Sequence, residues 1–129
     1  MKGLKITSDC IITEIDVKEP LHKTIRDALG GYLETVRPRR VPFPLTMIVD
    51  EEGLLKELPL NPIGCYMYET DKHNHPIVGD IIIMREEMTN DGIVLVGLER
   101  SHIDDLLPLF KGLAERYSDI HRPTKNPMP

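Results

Sequence analysis

Tryptophan is missing from this 129-residue chain, and only two phenylalanines and four tyrosines supply rings. A core built on large aromatic side chains is thereby excluded, and burial must come from Leu, Ile, Val and Met. Cysteine is almost as scarce. The two present, Cys10 and Cys65, form neither a CxxC motif nor a disulfide framework. Positive charge is also short, with 16 Lys and Arg against 21 Asp and Glu. Duplex nucleic acid, whose binding draws its affinity from a basic surface, is therefore not an expected partner. The acidic excess is in turn too thin for a protein that imitates DNA. No apolar run approaches the length of a membrane span, and no apolar h-region opens the chain. The expectation is a cytoplasmic protein with no membrane partner. Nucleophile elbow, P-loop and dinucleotide fingerprint are all absent.

What is present suits one folded unit, large enough to bury roughly two-thirds of the surface of its unfolded form. Leu4 to Val17 alternates imperfectly and predicts a strand or bent hairpin. Pro20, as a first helical residue, opens a short amphipathic helix that Gly30-Gly31 closes. Tyr32 to Arg37 and Leu45 to Val49 read as strands, with Asp50-Glu51-Glu52-Gly53 turning a hairpin into Leu54 and Leu55. Asn61-Pro62 starts one helical turn through Met67, read as a connector rather than a core element, and residues 71–76 read as loop. Ile77 to Met84 has the pattern of the most deeply buried strand, and Ile93 to Val96 returns beside it after Asn90-Asp91-Gly92. Ser101, as N-cap, begins a helix whose apolar stripe runs from Ile103 through Phe110 to Tyr117. Pro108 is discordant there and predicts a kink near Asp104 to Pro108.

The fold expected from these segments is α+β, a mostly antiparallel twisted sheet of about five strands with two main helices packed on it. The domain should span residues 1–120, followed by a flexible proline-rich tail over 121–129.

Four segments occur in a recognisable order: Gly30-Gly31-Tyr32-Leu33-Glu34, Val49-Asp50-Glu51-Glu52-Gly53, Leu58-Pro59-Leu60-Asn61-Pro62 and Ile77-Val78-Gly79-Asp80-Ile81-Ile82. Together they resemble a small domain of unknown function that recurs in bacteriophages and in mobile elements of Gram-positive bacteria. The resemblance implies an α+β domain of phage type and carries no catalytic residue with it.

Candidate site residues come from the sequence itself. Arg37, Arg39 and Arg40 form the dense basic cluster of an otherwise acidic chain, stiffened by Pro38 and Pro42. Guanidinium forks pair bidentately with phosphate or carboxylate, so an anionic ligand is looked for here first. The competing reading is a solvated loop balancing Glu34, Glu51 or Glu52. Asn61 and Tyr66, with Cys65, are placed to line a cleft, or else Asn61 caps the helical turn and Tyr66 packs on the sheet. His73 and His75 have no third metal ligand at a diagnostic spacing. Neither a metal nor a cofactor is expected.

The function expected is that of a non-catalytic phage or mobile-element accessory protein. It would bind a small anionic ligand, a nucleotide among the candidates, or a host protein, and so modulate or counteract host defence. Two alternatives stand beside it: a small hydrolase or transferase with a dispersed site drawn from Asp80, His73, His75 and Cys65, and a protein-binding adaptor. A homo-oligomer stays open, since the helix from Ser101 to Tyr117 could serve an interface.

Overall fold

The computed structural model describes residues 1–40 and 44–121. Pro42 of the basic segment and the proline-rich tail beyond His121 lie outside the described residues.

The strands are β1 (Lys2–Ile6), β2 (Ile12–Asp16), β3 (Leu33–Val36), β4 (Leu45–Asp50), β5 (Ile81–Thr89) and β6 (Gly92–Val96). Four helices, α1 (Leu21–Leu29), α2 (Pro62–Tyr68), α3 (Thr70–His73) and α4 (Arg100–His121), complete the α+β fold. The sheet runs β2-β1-β5-β4-β3, every pairing is antiparallel, and β6 pairs with the far half of β5. One strand and the short helix α3 are thus added to the expected elements, and the helical turn after Asn61 is α2.

Both faces of the sheet centre are covered, which explains why β4 and β5 read as nearly continuous apolar runs. Side chains alternate across a strand, so Met47, Ile81 and Ile83 face one way and Ile48, Ile82 and Met84 the other. The first face packs under α2 and α4 through Ile63, Met67, Ile103, Phe110 and Leu113. The second packs under α1 through Ile25, Leu21 and Leu29.

Several elements differ from the expectation for identifiable reasons. Leu54 and Leu55 do not return as a strand. Asp50, nearly buried, accepts from Glu52 N–H at 2.9 Å and from Lys56 Nζ at 2.7 Å, and this coils residues 51–57 into consecutive turns. The places beside β4 are taken by β3 and β5 instead. Gly31 admits the ion pair, because a Cβ there would stand 2.5 Å from Lys56 Nζ and 2.6 Å from the Asp50 carboxylate.

Helix α2 is no mere connector, since Ile63, Gly64 and Met67 are buried within it. Gly64 sits against Ile77, and a Cβ would fall 2.6 Å from that residue's Cγ2 and 3.3 Å from Ile81 Cδ1. Gly64→Ala should lower stability by about 1–3 kcal/mol through overpacking, read as a drop in the urea midpoint at constant slope. Residues 71–73, read as loop, form the single turn α3 together with Thr70. The buried strand starts at Ile81 rather than Ile77, because Gly79 takes φ 76° and breaks the extended run.

The last helix starts at Arg100, which places Ser101 inside it rather than at its cap. Glu99 holds that end: its N–H donates to His102 Nδ1 at 3.2 Å, and its carbonyl accepts from Ile103 N–H at 3.1 Å. The helix continues through Pro108, which is exposed. No helix among the described residues is long and apolar enough to cross a membrane.

Candidate functional site

Helix α2 is short, and the orphan carbonyls of its last turn need partners. Those come from the basic segment. The backbone N–H groups of Arg39 and Arg40 both donate to the Met67 carbonyl, at 2.8 and 3.1 Å, and Arg40 Nε donates to the Tyr66 carbonyl at 2.7 Å. Two cations at a helix C-terminus also meet the negative end of its dipole. This strapping splays the three arginines apart instead of pooling them.

Arg37 points to Glu86, a nearly buried carboxylate of β5, at 3.1 Å. The pair borders a depression of about 460 Å³ that Thr35, Ile93 and Leu95 also line. Arg39 lies over the Tyr68 ring, 5.7 Å from its centroid. Arg40 lies over the Tyr66 ring at 4.5 Å and reaches Asp71 at 3.5 Å. Among the described residues, Arg37 pairs with Glu86 and Arg40 with Asp71.

Arg40 and Tyr66 share a groove of about 530 Å³ whose other walls include Leu60, Cys65, Asn74 and Tyr117. Its lining is mainly apolar with a few polar groups converging on it, the usual make-up of a small-molecule site. The Tyr117 phenol is raised above its ordinary pKa, first by burial and then by the nearby Tyr66, while Arg116 and Arg40 act in the opposite direction. Tyr117 was legible in the sequence only as the last member of an apolar stripe. Its partial exposure on the last turn of that stripe is what the groove uses.

Asn61 does not line the groove. It is fully buried, and its amide is spent on the interior: Nδ2 donates to the carbonyls of Ile6 at 3.0 Å and Gly79 at 2.9 Å, while Oδ1 accepts from Gly64 N–H at 2.9 Å. The reading of Asn61 as the cap of the helical turn describes its place. Tyr66 both packs against the core and borders the groove.

The groups of the alternative enzymatic reading are dispersed. Asp80 accepts from Ser8 N–H at 3.2 Å and lies 3.7 Å from Lys5 Nζ. Cys65 Sγ exchanges contacts with the Ile77 backbone at 3.3 and 3.4 Å. His73 Nδ1 accepts from the His75 N–H at 3.1 Å, which leaves Nε2 as the donor to the Tyr68 carbonyl at 2.8 Å. Burial, with Asp9 adding to it, pushes the Cys10 thiol up and keeps it protonated. Among the described residues no group of three or more His, Cys, Asp or Glu side chains is placed to hold a metal ion.

A family model described as a domain of unknown function, DUF3846, matches residues 1–108. Neither the curated proteins nor the solved structures contain a match to the chain.

Proposed function

Because the chain belongs to the DUF3846 family of domains of unknown function, we propose from its groove that it is a non-catalytic binding protein for a small anionic ligand. We assign the site to the walls formed by Arg40, Tyr66 and Tyr117. The observation that carries this reading is the position of the Arg40 guanidinium over the Tyr66 ring, 4.5 Å from its centroid, at the wall of an apolar groove. A guanidinium so placed is held in position before a ligand arrives, so little entropy is lost when it turns its remaining donors on a phosphate or carboxylate. The ligand competes with Asp71, whose contact at 3.5 Å is long and whose side chain is 68% exposed. Such a pair contributes at most about 1 kcal/mol, so displacing it is cheap. Tyr66 and Tyr117 line the groove beside Arg40, and aromatic side chains next to a guanidinium suit a nucleotide, which joins a planar base to a phosphate. In the phage or mobile-element setting that the sequence motifs suggest, withholding such a ligand is a way to modulate or counteract a host defence process.

Native mass spectrometry of protein purified from its expression host, followed by calorimetric titration with adenosine 5′-monophosphate and with inorganic phosphate, tests the reading. A retained mass lost on denaturation, or measurable heat, is expected. Arg40→Ala should weaken binding about tenfold or more, equivalent to about 1.4 kcal/mol. Arg40→Lys keeps the charge but not the planar fork and should fall between the two. A bare chain that takes up neither probe overturns the proposal.

A further inference from the structure

The sheet has an open edge at β3, none of whose residues lines the anion groove. Among the described residues β3 pairs with β4 alone, in the register Leu33↔Asp50 to Val36↔Met47. One register step back, Glu51 N–H donates to the Tyr32 carbonyl at 2.8 Å. Bonded pairs alternate along an antiparallel ladder, so Glu34 and Val36 are the residues bonded to β4, and the N–H and C=O groups of Leu33 and Thr35 point away from the sheet. Among the described residues these four groups have no backbone partner. Beside the edge, on the face that carries Glu34 and Val36, lies a depression of about 290 Å³. Its wall includes the apolar side chains of Val36, Leu54 and Tyr68. Glu34 and Glu51 are exposed at its rim, and no lysine or arginine lines it.

We propose that this edge receives an extended basic segment of a partner protein as an added strand. The free backbone groups supply the ladder, and the acidic rim with its apolar wall supplies the selection. A residue directly opposite Glu34 on the added strand lies on the same face, so Lys or Arg belongs there. The next residue on that face stands opposite Val36, where an aliphatic side chain fits. On a strand added antiparallel to β3 the chain runs the other way, so the pattern recognised, read from its N-terminus, is aliphatic-x-basic. Nothing on β3 blocks such pairing, since Leu33–Val36 contains neither lysine nor proline.

Fluorescence anisotropy with two labelled octapeptides tests this, one of sequence Thr-Lys-Thr-Val-Thr-Lys-Thr-Val and one with Glu in place of Lys. The lysine peptide should bind at least tenfold more tightly. The double variant Glu34→Lys, Glu51→Lys should invert the preference. Thr35→Pro removes an outward N–H, is tolerated at a sheet edge and should weaken binding tenfold or more, while Thr35→Val, which keeps the N–H, should bind as the parent does. Circular dichroism confirms that each variant is folded. Equal affinity for both peptides, no detectable binding of either, or undiminished binding by folded Thr35→Pro overturns the proposal. So does a dimer that Thr35→Pro converts to monomer, because the occupant would then be a second copy of this chain.

Discussion

Asn61→Ala is expected to lower the stability of this protein by about 3–5 kcal/mol. The side chain is fully buried and joins three backbone groups from different parts of the chain: the Ile6 carbonyl at the end of β1, the Gly79 carbonyl before β5 and the Gly64 N–H in α2. Removing it takes one bond away from each of these groups, at about 1–3 kcal/mol for each that is left without a partner. Asn61→Asp is a sharper test, because it preserves the acceptor for Gly64 but turns carboxylate oxygen towards two carbonyls and buries a charge. It should be at least as damaging at neutral pH as the alanine variant. Urea unfolding at unchanged slope measures both. A loss below about 1 kcal/mol for Asn61→Ala would show that the three elements are not tied through this residue.

Phe110→Ala is expected to lower stability by a similar amount, about 3–5 kcal/mol. The ring is fully buried within the apolar layer between α4 and the sheet, where Leu106 and Leu113 accompany it. Its neighbour Leu109 is 41% exposed, and Leu109→Ala should change stability by no more than about 0.5 kcal/mol. The contrast separates a helix that packs on its own sheet from one held by another subunit. If the stripe were an interface, the cost of Phe110→Ala would depend on protein concentration.

The strands and main helices were legible because their periods are strong. Pro20, Gly30 and Asn90-Asp91-Gly92 punctuate the chain at element ends, and Gly30 indeed closes α1 in the left-handed conformation. The failures come from side chains acting at a distance. Asp50 bends residues 51–57 through bonds to Glu52 and Lys56, and no local pattern distinguishes that from a hairpin turn. The basic cluster was visible as composition, yet its division among Glu86, Tyr68 and Tyr66 depends on where α2 and β5 lie in space. Of the five residues singled out as ligand-binding, Arg40 and Tyr66 meet in one groove. Arg37 borders another depression, Arg39 lies over Tyr68, and Asn61 is interior. Tyr117 completes the groove from a position more than fifty residues away in sequence. Only the docking of α4 beside α2 could reveal that.

The two surfaces differ in chemistry: an aromatic groove with the Arg40 guanidinium on one, and an acidic open edge on the other. Their tests are independent, since Arg40 takes no part in the edge and Thr35 none in the groove. The central claim is the location of the anion site. A titration of isotope-labelled protein with adenosine 5′-monophosphate, followed by amide chemical shifts, tests it most directly. The account predicts shifts concentrated at Cys65, Tyr66, Asn74 and Tyr117. Shifts centred instead on Arg37, Glu86 and Leu95, or no shifts at all, would contradict it.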